Sequence, residues 1–220
     1  MNWKHAFTSS IGKKLVMGIT GVSLIAFLCV HCYVNSLVFF DVEAFDSAAH
    51  FLGTNILMHV AEVGLFGGLI LHIVQGLMLY GQNKASRPVA YDTYKAGFNK
   101  AKWYSRSMTF LGILLLLFLV IHLAHFWAPN RYNQVTTGHE LSLYELMQDT
   151  FSQLWVVIVY ILGCVALGYH LMHGFWSATQ TLGLSTSKYK PIIRAVGTAY
   201  SVVVPLIFIL MPIAFYAHWV

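Results

Sequence analysis

Histidine is the residue type that most needs a chemical explanation in this chain. The 220 residues include 11 histidines, although 58% of the residues are hydrophobic and only 10% are charged. Neutral imidazole is a common metal ligand, and its pKa near neutrality also suits it to proton transfer. Ionisable residues inside apolar segments are costly and usually functional. Histidines that lie inside apolar segments are therefore candidates for metal ligation, proton transfer or hydrogen bonding between helices.

Five apolar runs must position these histidines. A soluble domain of this size carries about 25% charged residues. The deficit here falls in runs of roughly 20 residues or more, which match a hydrocarbon core of about 30 Å. The sequence therefore predicts an all-α integral membrane protein, with one transmembrane domain over residues 1–220. The predicted spans are about 15–39, 55–80, 107–127, 153–177 and 195–217. The first run is too long for the core of a signal peptide, which predicts a retained span.

The basic residues predict the orientation of the chain. Twelve of the 13 lysines and arginines precede span one, or lie between spans two and three or between spans four and five. Arg131 lies in the opposite loops, together with six of the eight acidic residues. By the positive-inside rule, the N-terminus is cytoplasmic and the C-terminus is outside. The net charge of +5 is thus explained by membrane topology, and no nucleic-acid partner is expected.

Four histidines on four spans fall at two depths. With a rise of about 1.5 Å per residue, His31 and His122 lie roughly 22–24 Å from the inner boundary. His72 and His170 lie roughly 6–8 Å from it, so the two levels differ by roughly 15 Å. Two levels with two histidines each suit two bis-histidine haems, in which occupation of both axial positions favours electron transfer over oxygen binding. The alternative for any single histidine is a hydrogen bond between helices.

The residues beside the inner pair also favour a cofactor. One turn either side, the neighbours are small: Gly68 and Gly76 around His72, and Ala166 and Gly174 around His170. These positions would open a slot for a flat macrocycle, although small residues also pack membrane helices together. The neighbours of the outer pair are larger: Phe27, Asn35, Phe118 and Phe126.

Two further histidines and the three cysteines are also candidates for binding a cofactor or a metal. His125 and His173 lie one turn after His122 and His170, and could be ligands, partners of a haem propionate or interface residues. Cys29 and Cys32 form a C-x-x-C pair around His31, which raises redox or metal chemistry. On an apolar helix, buried and inert thiols are the favoured interpretation.

At this point the chain resembles a known family. Its motifs are similar to those of the single-subunit, dihaem, five-helix cytochrome b membrane anchor of succinate:quinone and quinol:fumarate oxidoreductases. The matching stretches are residues 30–35 (VHCYVN), 43–51 (EAFDSAAHF), 71–76 (LHIVQG), 121–122 (IH) and 170–177 (HLMHGFWS). The resemblance covers essentially the whole chain.

The resemblance implies a function. His72 and His170 would hold the haem b nearer the cytoplasm, and His31 and His122 the farther one. A flavoprotein subunit with FAD and an iron–sulfur subunit would dock on the cytoplasmic face of the inner cell membrane. Electrons would pass from the iron–sulfur subunit through the two haems to a membrane quinone, menaquinone rather than ubiquinone. The direction could be succinate oxidation or fumarate reduction, and this subunit would be the quinone-reactive part of the enzyme complex.

A quinone site needs groups that handle protons. His50, His59 and Glu62 are candidates near the outer face. Glu62 is an acid within a span, which favours a function, and the alternative is a hydrogen bond between helices. Trp103 and Arg106 are candidates near the inner face, for a quinone or a haem propionate. Two rival functions remain open: the dihaem cytochrome b anchor of another quinone-linked oxidoreductase, and a haem-free transporter that uses histidines.

Overall fold

The computed structural model describes residues 9–85 and 107–220, and it leaves Trp103 and Arg106 outside those ranges. The described residues form eight α-helices: α1 (Ser10–Ser36), α2 (Val42–Thr54), α3 (Ile56–Ala85), α4 (Met108–His122), α5 (Ala128–Thr137), α6 (Leu143–Phe151), α7 (Leu154–Thr181) and α8 (Lys190–Tyr216). A 3-10 turn (Leu37–Phe39) follows α1, and a π-helical turn (Leu123–Trp127) joins α4 to α5.

Five helical segments are long and apolar enough to cross a membrane. They are Ile11–Phe39, Ile56–Ala85, Met108–Thr137, Leu154–Thr181 and Lys190–Tyr216. The predicted all-α, five-span, multi-pass membrane fold is thereby confirmed. Helices suit a lipid environment because most of their backbone hydrogen bonds are made within the same segment.

The third span is longer than its hydropathy indicates. The apolar run ends near Trp127, but the helix continues through the π-helical turn and α5. It stops at Gly138, whose φ of 77° is the left-handed conformation that glycine adopts readily at a helix end. The polar residues of α5 therefore continue the helix beyond 127, where the sequence predicted that the span ends.

Helix α7 is the central element of the bundle. It packs most extensively on α8 and also contacts α1 and α4, while α3 packs mainly on α1. The approach of α7 to α8 needs glycine, because a Cβ at Gly168 would lie 3.2 Å from the carbonyl oxygen of Ser201. A Cβ at Gly197 would lie 2.6 Å from the ring of Phe175. Small residues commonly allow such close contacts between membrane helices.

The short helices α2 and α6 close one end of the bundle. Asp41 and Ser142 cap them, each accepting a hydrogen bond from a backbone N–H in the first turn. Helix α6 buries Met147 and Phe151 against α7 and α8. A cluster of buried, mainly apolar side chains therefore lies at this end: Val34, Val38, Phe45, Met147, Phe151, Val156, Val157, Tyr160 and Phe215.

Candidate cofactor site

The structure brings the four predicted histidines together as two pairs. His72 of α3 faces His170 of α7, with ring centroids 6.3 Å apart and planes at 66°. His31 of α1 faces His122 of α4, with ring centroids 5.8 Å apart and planes at 89°. A metal–imidazole bond of about 2 Å places two rings on opposite sides of one metal ion with their centroids about 6 Å apart. Both pairs therefore have the separation that a shared metal would require.

Two histidines are too few for a metal site built by protein alone. Structural and catalytic metal sites use three or four protein ligands. Within residues 9–85 and 107–220, no group of three or more His, Cys, Asp or Glu side chains is placed to hold a metal ion. A pair of axial histidines suits a metal whose other ligands come from a macrocycle, as in haem. The donor set therefore fits a haem better than a free metal ion.

Glycines on facing helices accommodate the inner pair. A Cβ at Gly21 of α1 would lie 3.5 Å from Cε1 of His72, and one at Gly112 of α4 would lie 3.8 Å from Cε1 of His170. Neither glycine stood out in the sequence, because each lies on a helix other than that of its histidine. Among the glycines that did, Gly68 faces open space.

Two of the predicted slot residues are partly covered. A Cβ at Gly76 would lie 3.4 Å from the methyl group of Met17, and one at Gly174 would lie 3.6 Å from that of Met108. Methionine is unbranched and flexible, so its methyl group can move to fit a neighbour. The slot beside the inner pair is therefore lined by glycines and by side chains that can adapt.

Aromatic rings enclose the outer pair. Phe27 and Phe208 lie 5.2 and 5.4 Å from His31, measured between ring centroids. The rings around His122 are Phe118, Phe126 and Tyr160, at 5.9, 5.4 and 6.0 Å. The large flanking residues Phe27, Phe118 and Phe126 thus lie directly against the histidines. The outer pair is surrounded by aromatic rings, whereas the inner pair faces glycines.

The four rings also differ in their hydrogen bonds. Nδ1 of His72 lies 3.2 Å from the hydroxyl of Thr20, and Nδ1 of His31 lies 3.3 Å from the amide nitrogen of Asn35. The Nδ1 atoms of His122 and His170 are buried and have no hydrogen-bond partner among the residues that the structure describes. Buried polar atoms without a partner are rare, and such atoms in a native fold call for an explanation. These two Nδ1 atoms belong to histidines that the sequence predicted as haem ligands.

A set of polar side chains, which we call the outer polar cluster, joins α3 to α5. It consists of His59, Glu62, Trp127, Arg131 and Gln134. Glu62 forms an ion pair with Arg131 and accepts a hydrogen bond from the indole N–H of Trp127. Arg131 also donates to Gln134 at 2.6 Å. Arg131 was predicted only as a loop residue, and it reaches Glu62 because α4 continues helically beyond Trp127.

His50, the remaining candidate for proton transfer, lies next to the outer polar cluster. His59 and Gln134 both donate to the carbonyl oxygen of Gly53, at 2.9 and 3.1 Å. The Cα of Gly53 abuts the carboxylate of Glu140, which is 2.8 Å from Nδ1 of His50. His50, His59 and Glu62 are thus brought to one region around Gly53. His50 is the most accessible, with 71% of its side chain exposed.

His125 has a partner of its own outside the two pairs. Its Nδ1 lies 3.1 Å from the hydroxyl of Tyr160, and the two rings are stacked at 7°. It lies in the π-helical turn, which rotates it away from His122 relative to a regular helix. Its arrangement therefore favours an interface role over ligation.

We expect His125→Ala and His173→Ala to retain two haems with bis-histidine spectra. Neither residue belongs to the pair of His31 and His122 or to the pair of His72 and His170, so removing its imidazole leaves all four proposed ligands in place. The measurement is the haem-to-protein ratio together with the low-spin absorption spectrum of each purified variant. Loss of one haem in either variant would show that the ligand set has been assigned to the wrong turn of the helix.

Gly163 provides a test of packing beside the outer pair. A Cβ at Gly163 would overlap the ring of Phe118, which also packs 5.1 Å from Tyr160. We expect Gly163→Ala to destabilise the protein by about 1–3 kcal/mol, because an extra methyl group in a packed contact forces its neighbours to shift. Gly67→Ala is the control, since nothing lies within 4 Å of its added Cβ. Thermal unfolding in detergent should separate the two, and equal melting temperatures would contradict the packing argument.

The cysteines do not form a disulfide or a joint site. Cys29, Cys32 and Cys164 are all free thiols. Cys32 and Cys164 are buried as predicted, but Cys29 is exposed on the outside of α1 and its thiol lies 3.8 Å from the hydroxyl of Tyr200. The prediction of burial was wrong for Cys29, because hydropathy does not tell which side of an apolar helix faces lipid.

Comparison with known proteins adds one relative. The chain is similar to the succinate dehydrogenase cytochrome b558 subunit of Bacillus subtilis (strain 168). The two are 27% identical over 199 residues, covering 84% of this chain and 88% of the relative. No protein-family model matches the chain, and no solved structure shows a significant match. The resemblance to a cytochrome b anchor that the motifs predicted is confirmed by this relative.

Proposed function

We propose that this chain is the membrane-anchor and electron-transfer subunit of a succinate dehydrogenase, or of the closely related quinol:fumarate reductase. The relative supports the assignment to succinate dehydrogenase, because it is named as the cytochrome b558 subunit of that enzyme. The observation that carries the haem assignment is the meeting of four histidines from four helices in two facing pairs.

His72 and His170 would hold one haem b, and His31 and His122 would hold the other. When bound, each haem supplies a one-electron couple, while the protein positions it and tunes its potential. The four helices α1, α3, α4 and α7 contribute one ligand each, so the ligands hold the bundle together as well as the cofactor. The inner site fits better in its surroundings, because glycines rather than aromatic rings face its histidines.

The outer polar cluster would handle protons for a membrane quinone. Quinone reduction takes up protons, so its site needs titratable groups in contact with the membrane interior or its surface. Glu62 and Arg131 are both partly exposed, at 24% and 30% of their side chains, so a small molecule can reach them. Trp103 and Arg106 remain the candidates for an inner quinone site.

The partners would be a flavoprotein subunit and an iron–sulfur subunit on the cytoplasmic face, with menaquinone as the electron acceptor or donor. In this orientation, Lys188, Lys190 and Arg194 before and within the start of α8 would face the soluble subunits. Arg194 lies over the ring of Trp176 at 4.7 Å, which orders this basic edge at the end of the bundle.

The deciding experiment is purification of the complex from membranes through a tag on this chain. We expect the soluble flavoprotein and iron–sulfur subunits to copurify, and a reduced-minus-oxidised spectrum to show two low-spin haems b per chain. A haem-free transporter would show no haem bands. The anchor of another quinone-linked oxidoreductase would show them, but would copurify with subunits that neither contain FAD nor oxidise succinate.

A further inference from the structure

Thr20 is a buried polar residue of α1 that the proposed function does not use. It is 8% exposed and lies where α1 packs on α3. Its hydroxyl oxygen lies 2.8 Å from the carbonyl oxygen of Val16 and 3.2 Å from that of Met17. The same oxygen lies 3.2 Å from Nδ1 of His72. One hydroxyl therefore connects the backbone of α1 to a predicted ligand on α3.

The protons in this arrangement can be assigned from the partners. A hydroxyl has one hydrogen to donate and two lone pairs to accept with. The carbonyl oxygens of Val16 and Met17 can only accept, so the hydroxyl hydrogen points to them. The contact with His72 then requires Nδ1–H to donate to the hydroxyl oxygen. A neutral imidazole with its hydrogen on Nδ1 has a free lone pair on Nε2.

We propose that Thr20 is the positioning residue of the inner haem site. By accepting the hydrogen bond from Nδ1–H, beside a backbone hydrogen bond from His72 to Met17, it holds the His72 ring in the tautomer and orientation whose Nε2 can bind iron. Partners of this kind fix metal-bound histidines and raise their basicity. This inference rests on the proposed function, since it assigns a partner to one of the proposed ligands.

The other three proposed ligands lack an equivalent partner among the described side chains. The Nδ1 atoms of His122 and His170 have none, and His31 faces an amide nitrogen of Asn35, which is a donor. The hydroxyl of Thr20 is thus the side-chain acceptor for one ligand out of four. A more basic axial ligand stabilises ferric iron, so Thr20 should lower the reduction potential of the inner haem selectively.

The chain contains a matched control for this residue. Thr179 of α7 is 9% exposed, and its hydroxyl also donates to carbonyl oxygens of the preceding turn, those of Phe175 and Trp176, at 3.1 and 3.0 Å. Its hydroxyl forms these backbone hydrogen bonds within α7, and none to either histidine pair among the described residues. Thr179→Val therefore removes an equally buried hydroxyl with the same backbone hydrogen bonds, but no ligand contact.

The test uses the assembled complex in four forms: wild type, Thr20→Val, Thr20→Ser and Thr179→Val. The measurements are the haem-to-protein ratio and a redox titration that resolves the two haems. We expect Thr20→Val to weaken retention of the inner haem by about tenfold. We also expect its potential to rise by up to about 59 mV, which corresponds to a tenfold change in a one-electron equilibrium. Thr20→Ser, which keeps the hydroxyl, should behave as wild type, and Thr179→Val should leave both haems unchanged.

Three results would overturn the proposal. One is a Thr20→Val protein with unchanged potential and haem retention, and another is a Thr20→Ser protein that behaves like Thr20→Val. The third is a shift of the outer haem instead of the inner one. All values are read per mole of purified protein, and Thr20→Ala replaces Thr20→Val if the latter does not accumulate. A wild-type complex without haem would refute the proposed function itself, whereas two haems insensitive to Thr20 would refute this inference alone.

Discussion

His72→Ala and His170→Ala are expected to remove the inner haem and lower the haem-to-protein ratio from two to one. The two rings face each other at 6.3 Å, so either substitution deletes one of the two ligands proposed for this haem. The remaining imidazole would be left in an apolar slot with an incomplete metal site. We also expect the soluble subunits to detach more readily, because the inner pair lies on the side at which they are proposed to dock. The measurements are haem content, the low-spin spectrum and the recovery of partner subunits after solubilisation.

His173→Ala is the matched control for His170→Ala. It removes an imidazole from the same helix, one turn further on, and from outside the facing pair. If His72→Ala and His170→Ala both retain two haems per chain, the inner ligand assignment is wrong. If His173→Ala instead loses as much haem as His170→Ala, the loss in both reflects damage to α7 rather than removal of a ligand.

Glu62→Gln is expected to lower quinone-linked activity by about 100-fold, which is the low end of what a positioned acid or base contributes. Glutamine keeps the shape of the side chain and can still accept from the indole of Trp127, but it carries no titratable proton and no charge for Arg131. Both haems should remain, and electron transfer from the soluble subunits to an artificial dye should persist. Succinate–quinone and succinate–dye activities of the same preparation are the measurements.

Two further variants separate proton transfer from structure. Glu43→Gln, at an exposed acid in the first turn of α2, is the control and should retain activity. The double variant Glu62→Gln, Arg131→Gln removes both charges of the ion pair. If Glu62 serves only to neutralise Arg131, the double variant regains activity, and if Glu62 handles protons it does not. Wild-type quinone turnover in Glu62→Gln would remove Glu62 from the mechanism.

The location of the quinone site decides how turnover responds to the membrane potential. Protons exchanged at the outer face, while electrons arrive from the cytoplasmic side, amount to charge moved across the membrane. Each charge moved against 100 mV costs about 2.3 kcal/mol. Full activity of Glu62→Gln and also of a variant with both His50 and His59 replaced by alanine would place the site at the inner face, near Trp103 and Arg106.

Much of the architecture could be predicted because membranes constrain sequences strongly. A span needs about 20 apolar residues, so hydropathy alone located five helices. The fixed rise of a helix then placed His31, His72, His122 and His170 at two depths. Both inferences depend on distances along a helix axis, which sequence spacing specifies directly. The pairing of His31 with His122 and of His72 with His170 follows the same two depths.

The contacts around each helix could not be predicted in this way. The spans are apolar on all sides, so no polar face indicates how a helix is rotated or which neighbour it meets. Rotation decides that Thr20 meets His72, that Gly21 and Gly112 face the inner rings, and that Cys29 is exposed. Arg131 reaches Glu62 because the helix continues beyond the apolar run of α4. The polar residues of that continuation, α5, find hydrogen-bond partners on the protein instead of facing lipid. Depth is a property of the sequence, whereas partners across helices depend on packing between segments far apart in the chain.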